Sequence, residues 1–207
     1  MAAPSPSTEH IADSSVFRAA LRGEKLAARM ALAADSRLAL STSIEAHLLQ
    51  LLTPLAPQTL AFCAAIRGEF DAQPLASLLI KRGWRAAMPI VEAPDTPMSF
   101  RNWTPGTPMG VGHYGIPIPA EGRALVPDIV LLPLVAFDNQ GFRLGYGGGY
   151  FDRTLATLVP RPLSIGVGFE IARVKDIHPQ EHDIRLDAIV TEAGVVRHGR
   201  ATAATLV

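Results

Sequence analysis

Arg143-Leu-Gly-Tyr-Gly-Gly-Gly-Tyr-Phe-Asp-Arg153 decides how this chain folds, because of what stands on either side of it. Before it lies Ile129-Val-Leu-Leu-Pro133, an apolar run that reads as a strand buried on both faces. After it, from about Tyr150 to Leu158, the pattern is helical. In open α/β sheets, ligands bind at such places, beyond the carboxyl ends of the strands. Gly145, Gly147, Gly148 and Gly149 carry no Cβ, so the backbone can take φ > 0 and approach a bulky anion. Their N–H groups can form an anion-binding concavity, to which the following helix adds its positive end. Arg143 and Arg153 flank the loop and suit phosphate oxygens through paired donors. Asp152 is the segment's carboxylate, a hard oxygen ligand suited to Mg²⁺ beside phosphates. No G-x-x-x-x-G-K-[S/T] occurs, and Gly145 to Tyr150 fails G-x-G-x-x-G at its last position. A tight strand-to-helix turn is the plain alternative. Glycines framed by arginines, an aspartate and tyrosines exceed what a turn requires, so a phosphate site is the preferred reading.

Outward from this segment, apolar strands alternate with helices. Residues 1–14 are small and polar with prolines, and read as a disordered tail. A first helix starts at Ser14 or Ser15, with Phe17, Leu21, Ala28 and Leu32 on one face. A second runs from about Ser36 to Leu52 and a third from about Pro74 to Arg82, ended by Gly83. Strands are expected at Thr59 to Ile66, Trp84 to Val91, Met98 to Trp103, Ile129 to Pro133, Leu163 to Val167 and Ala188 to Val190. An edge hairpin is expected near Val195 to His198, and a loop rich in proline and glycine over Thr104 to Gly122. Interleaving of this kind indicates an α/β fold with a mainly parallel sheet covered on both sides. With no repeat or linker in evidence, residues 15–207 read as one domain.

The bulk numbers narrow the function. Apolar residues make up 48% of 207, enough for a continuous core. Nineteen basic residues balance nineteen acidic ones, which argues against nucleic-acid binding by bulk charge. The run Ile129 to Phe137 is too short to cross a bilayer, and the N-terminus lacks a signal peptide's basic flank and apolar stretch. Cys63 has no partner for an internal disulfide, so the expected location is the cytoplasm. In its apolar run it reads as a small core residue.

Other residues are candidates at single positions. Arg18, Arg22 and Arg29 recur near whole helical turns, a basic stripe that is either a solvated face or, beside the glycine loop, a phosphate clamp. Glu69 follows a strand and a glycine, where a carboxylate can accept ligand N–H groups; Glu69 or Asp71 as a helix N-cap is the alternative. Tyr114, beside His113 in the long loop, can stack on a flat heterocycle or simply pin the loop. His178 and His182 stand a helical turn apart, but with no cysteine nearby and no H-E-x-x-H form, zinc is disfavoured.

The stretch from Leu132 to Arg153 closely resembles the signature of 5-formyltetrahydrofolate cyclo-ligases, also called methenyltetrahydrofolate synthetases. Weaker elements follow the same order: Arg18-Ala-Ala-Leu-Arg22, Gly68-Glu69, Gly115-Ile-Pro-Ile-Pro119 and His182-Asp183-Ile-Arg-Leu-Asp187. The resemblance implies ATP- and Mg²⁺-dependent closure of 5-formyltetrahydrofolate to 5,10-methenyltetrahydrofolate. It implies ATP binding by Arg18, Arg22, Arg143, Leu144, Gly145, Tyr146, Gly147, Gly148, Gly149, Tyr150 and Phe151. Glu69, Tyr114 and Tyr146 to Tyr150 would face the folate, Asp152 and Asp183 would bind Mg²⁺, and Arg143 and Tyr150 would serve the chemistry. The implied fold is the three-layer α/β/α sandwich of the ribose-phosphate isomerase and CoA-transferase families. The chain departs from the family pattern where Arg18 replaces the usual lysine, Gly148 the lysine of some relatives, and Phe151 the commoner tyrosine. The expected partners are ATP and a reduced folate, without nucleic acid or membrane, in a monomer or weak homodimer. Two alternatives are a sugar-phosphate isomerase or CoA-transferase-like enzyme using the same loop, and a non-catalytic folate-binding regulator.

Overall fold

The computed structural model describes residues 8–199, with side chains from residue 14 onward. Helix α1 (Thr8–Met30) begins ahead of the expected Ser14 or Ser15, and residues 1–7 of the expected tail lie outside the described residues. Then come α2 (Ala34–Leu52), strand β1 (Thr59–Ala61), α3 (Gln73–Lys81), β2 (Arg85–Ile90) and β3 (Ser99–Trp103). The loop expected over residues 104–122 holds a hairpin, β4 (Met109–Val111) with β5 (Pro117–Pro119), turned by a short 3₁₀ segment at His113–Gly115. The chain continues through β6 (Ile129–Pro133), β7 (Ala136–Phe137), β8 (Arg143–Leu144), α4 (Tyr150–Thr157), β9 (Leu163–Val167), β10 (Ala188–Thr191) and β11 (Gly194–Arg197).

Seven strands form the main sheet in the order β11-β10-β9-β6-β1-β2-β3. Its interior pairs are parallel, and the edge strands β3 and β11 add antiparallel to β2 and β10. Side chains alternate between two cores, as a sheet buried on both faces demands. On one side Leu60, Ile129, Leu131 and Val190 pack with Ile44, Leu48 and Leu52 of α2 and Leu75 and Leu79 of α3. On the other, Ala61, Val130, Leu132 and Ile189 pack with Leu155 of α4 and Phe137. The result is a mixed α/β architecture with a large, mostly parallel central sheet between helical layers.

The topology places the site. From β1 the chain crosses through α3 to β2 on one flank, whereas from β6 it crosses through α4 to β9 on the other. Strands β1 and β6 are neighbours, so their loops part at a topological switch point, where a crevice forms at the strand ends. After β6 the chain doubles back as the β7–β8 hairpin before releasing the glycine loop. The Asp138 carboxylate shapes that turn by accepting the Gln140 and Phe142 N–H groups at 2.9 and 3.1 Å. Helix α1 lies against β7 and the turn at Glu170–Ala172, which brings its basic face to the crevice.

Candidate active site

At the switch point lies a cleft of about 790 Å³, within the range of small-molecule sites. Arg18 and Arg22 of α1, Arg67 and Glu69 after β1, Tyr114 of the β4–β5 hairpin, the glycine loop, and Asp183 all line it. Segments distant in sequence therefore meet around the loop that the sequence singled out.

Two ion pairs frame the cleft. Arg143, buried, gives Asp152 a two-pronged pair at 3.0 and 3.1 Å, and Ile184 N–H adds a third donor to Asp152 at 3.1 Å. Arg18, also buried, pairs with Asp183 at 2.5 and 3.1 Å and donates to the His178 carbonyl. Burial alone would raise the Asp183 pKa; hydrogen bonds from Arg18 and the Gln180 N–H, with the guanidinium charge, outweigh it and hold the carboxyl below its ordinary value.

Between these pairs runs the glycine loop. Arg22 Nε donates to the Gly145 carbonyl at 2.8 Å, and the Arg22 guanidinium lies 3.6 Å from where a Cβ on Gly147 would stand. Gly147 (φ 102) and Gly149 (φ 64), the latter capping α4, adopt the left-handed side of backbone space. Burial and the charge of Arg18 lower the Arg22 pKa, so this cation stands in a site that favours an incoming anion.

A third network holds the opposite lip of the loop. Tyr146 donates its hydroxyl to Glu69 Oε1 at 2.6 Å, and Arg29 donates to that hydroxyl at 2.6 Å. Glu69 Oε2 accepts the Ile66 N–H at 3.1 Å. Burial raises the Glu69 pKa, more than the hydrogen bonds from Tyr146 and Ile66 and the charges of Arg29 and Arg67 lower it. The Arg67 guanidinium sits 5.6 Å from the centre of the Tyr146 ring.

An aromatic wall completes the cleft. The rings of Tyr114 and Tyr150 lie 6.2 Å apart, and His113 packs edge-on to Tyr114 at 4.2 Å. The neighbouring Tyr114 hydroxyl raises the Tyr150 pKa. Tyr114 is 71% exposed at the hairpin tip with φ 59, leaving its ring face open. Arg153 turns away from the cleft, over the Tyr150 ring and onto the Gly148 carbonyl.

Of the residues expected from sequence, Arg18, Arg22, Glu69, Tyr114, Arg143, Asp152, Asp183 and Gly145 through Phe151 all border this cleft. Leu144 does not: its side chain is fully buried against Leu21, Ala136 and Ile177, anchoring the loop from below. Arg29 does not reach the phosphate side of the loop, and its guanidinium is buried beneath Tyr146. Cys63 is half-buried at the cleft wall instead of in the core, with burial pushing its thiol pKa up. Asp71, not Glu69, prepares α3, accepting the Gln73 N–H at 3.0 Å. Arg67 and the hairpin were missed; the positive φ of Arg67 (47°) and the two-strand pairing leave no clear sequence pattern.

Residues 14–192 match the model of the 5-formyltetrahydrofolate cyclo-ligase family. The chain belongs to this family. It is 33% identical to the 5-formyltetrahydrofolate cyclo-ligase of Escherichia coli (strain K12) over 144 residues, 66% of this chain and 79% of the relative. The Haemophilus influenzae cyclo-ligase is 29% identical over 152 residues, 70% of this chain and 81% of the relative. The NMR structure of Aquifex aeolicus 5,10-methenyltetrahydrofolate synthetase superposes with a TM-score of 0.76 at 31% identity, covering 88% of this chain and 93% of that one. The Mycoplasma pneumoniae synthetase does so with 0.70 at 27% identity, over 84% and 98%. The cyclo-ligase resemblance and the mostly parallel sheet read from the sequence are both borne out.

Proposed function

We propose that the cleft catalyses ATP-dependent closure of 5-formyltetrahydrofolate to 5,10-methenyltetrahydrofolate, releasing ADP and phosphate. One observation carries this reading: Arg18, Arg22 and Arg143 and the hydrogen-bonded carboxylate of Glu69 line one cleft with the glycine loop, in a chain of the cyclo-ligase family. Arg18, Arg22, Arg143 and the loop N–H groups form the phosphate side. Glu69 accepts N–H donors of the folate's pterin, and the exposed face of Tyr114 stacks on its ring. The formyl oxygen attacks the γ-phosphorus and ADP leaves; N10 then attacks the formyl carbon, phosphate departs with the oxygen, and the N10 proton is lost. This reaction asks for positioning and charge stabilisation. The wall agrees, since the thiol of Cys63 is held protonated by burial.

Mg²⁺ suits the donor set only as a cation arriving with the nucleotide. No three His, Cys, Asp or Glu side chains converge among the described residues, and both aspartates are paired with arginines. Mg²⁺ commonly takes one or two carboxylates and fills its shell with phosphate oxygens and water. Asp152 and Asp183 would hold it, and it would neutralise phosphate charge. We further read residues 15–207 as one domain, because a single cleft draws on α1 and on Asp183. We take the protein as a cytoplasmic monomer or weak homodimer without nucleic-acid or membrane partners. Its zero net charge argues against nucleic-acid binding by bulk charge, and no described helix is long and apolar enough to cross a membrane.

Incubating the purified protein with ATP, Mg²⁺ and 5-formyltetrahydrofolate should raise the near-ultraviolet absorbance of the methenyl product. ATP hydrolysis should require the folate. No absorbance change would sink the reading. An isomerase-like enzyme would leave ATP intact, and a non-catalytic binder would keep its folate affinity while turning nothing over.

A further inference from the structure

We propose that Arg29 is a positioning residue for the folate side of the cleft, tying Glu69 and Tyr146 into one arrangement that receives the substrate's N–H edge. The inference rests on the cyclo-ligase reading above. Arg29 closes the last turn of α1, is only 5% exposed, and does not line the cleft. Each of its three guanidinium nitrogens nonetheless donates a hydrogen bond. Nε donates to the Arg67 carbonyl at 3.0 Å, Nη1 to the Leu134 carbonyl at 2.9 Å, and Nη2 to the Tyr146 hydroxyl at 2.6 Å, with Glu69 Oε1 at 3.5 Å. One planar group thus fastens the loop after β1, the exit from β6 and the glycine loop to α1.

The direction of the hydrogen bonds follows from the donor inventory. Arg29 offers only donors, so the Tyr146 hydroxyl must accept from it and point its single proton at Glu69 Oε1. Among the described residues Glu69 Oε2 accepts the Ile66 N–H, and it keeps acceptor capacity toward the cleft. The groups facing this carboxylate are Arg29 from α1, Tyr146 from the glycine loop, Cys63 from the exit of β1, and Arg67 from its own loop. Arg29 is the buried cation among them, while Arg67 is exposed and screened by solvent. Without Arg29, Tyr146 is free to turn its proton elsewhere, and Glu69 takes up a proton at higher pH. A protonated Glu69 loses the acceptor strength the folate needs. Among the described residues the arginines on the phosphate side, Arg18, Arg22 and Arg143, are held by other partners, so the damage falls more heavily on folate binding than on ATP.

The full-length wild type, Arg29→Met and Arg29→Lys test this by steady-state kinetics across pH, with folding checked by circular dichroism. Failure of the wild type to form the methenyl product would refute the cyclo-ligase reading itself, a separate outcome. With an active wild type, Arg29→Met should raise the KM for 5-formyltetrahydrofolate roughly ten- to a hundredfold, the scale of lost charged hydrogen bonds. The KM for ATP should rise far less than the KM for folate, and the acid limb of kcat/KM for folate should move to higher pH. Arg29→Lys keeps the charge but not the fork, so it should retain the acid limb while raising the folate KM. An unchanged folate KM and pH profile in folded Arg29→Met overturns the proposal, as does an equal rise in both KM values. Should Arg29→Met fail to fold, a wild-type folate KM in Arg29→Lys overturns it.

Discussion

Arg18 and Asp183 meet across most of the chain, and each is buried enough that neither is well served by water. Removing one partner of such a pair strands the other charge, which is usually more costly than the pair is valuable. The Asp183 carboxyl sits below its ordinary value in the fold. Its contribution to stability is therefore complete above the unfolded value near pH ~4 and is lost as pH falls through the lower folded value. Asp183→Asn should lower the urea midpoint at pH 7, and the gap to wild type should narrow only below about pH 4. A gap that closes between pH 5 and 7 would contradict the assigned ionisation. At this scale the sequence told most at the glycine segment and least at Arg29. Helical spacing put Arg18, Arg22 and Arg29 on one stripe, but it carries no information about which loops will rise to meet each turn. Two of these arginines reach the glycine-loop side of the cleft, and the third is enclosed by carbonyls and a phenol.

Among the elements, β6 and β9 were legible to their last residues, because a parallel strand buried on both faces needs an unbroken apolar run. The apolar run from Thr59 predicts a strand to Ile66, but β1 stops at Ala61. Phe62 still donates to the Ala87 carbonyl of β2, and the residues beyond it leave the sheet to build the turn at Arg67 and Gly68, both at positive φ, that presents Glu69. The β7–β8 hairpin was invisible because two-residue strands are too short to show alternation. The glycine loop itself separates into parts with different demands. Gly147→Ala places a side chain at φ 102 and should cost about 1–3 kcal/mol of stability. Gly145→Ala meets nothing within 4 Å at an ordinary φ and should leave the urea midpoint close to wild type. Equal midpoints for the two variants would show that the loop's backbone conformation is not constrained as described.

For the whole molecule, the cleft is a joint between α1, the loops at the ends of β1 and β6, and the segment carrying Asp183. A ligand held there stabilises only the state in which all are docked. Nucleotide at a hundred times its Kd should add about 2.7 kcal/mol to unfolding stability. Amide exchange should slow first in α1 and around residues 180–184, ahead of the β6–β9 core that is already protected. Uniform slowing across the chain, or none in α1, would contradict a joint that the ligand closes.

The long span of the Arg18–Asp183 pair also sets an order of events during synthesis. The glycine loop precedes Asp183 by more than thirty residues, so the two sides of the cleft emerge at different times. Until Asp183 has cleared the exit tunnel, Arg18 on α1 lacks its carboxylate partner and the cleft lacks a wall. A chain that stops short of Asp183 should therefore form no methenyl product.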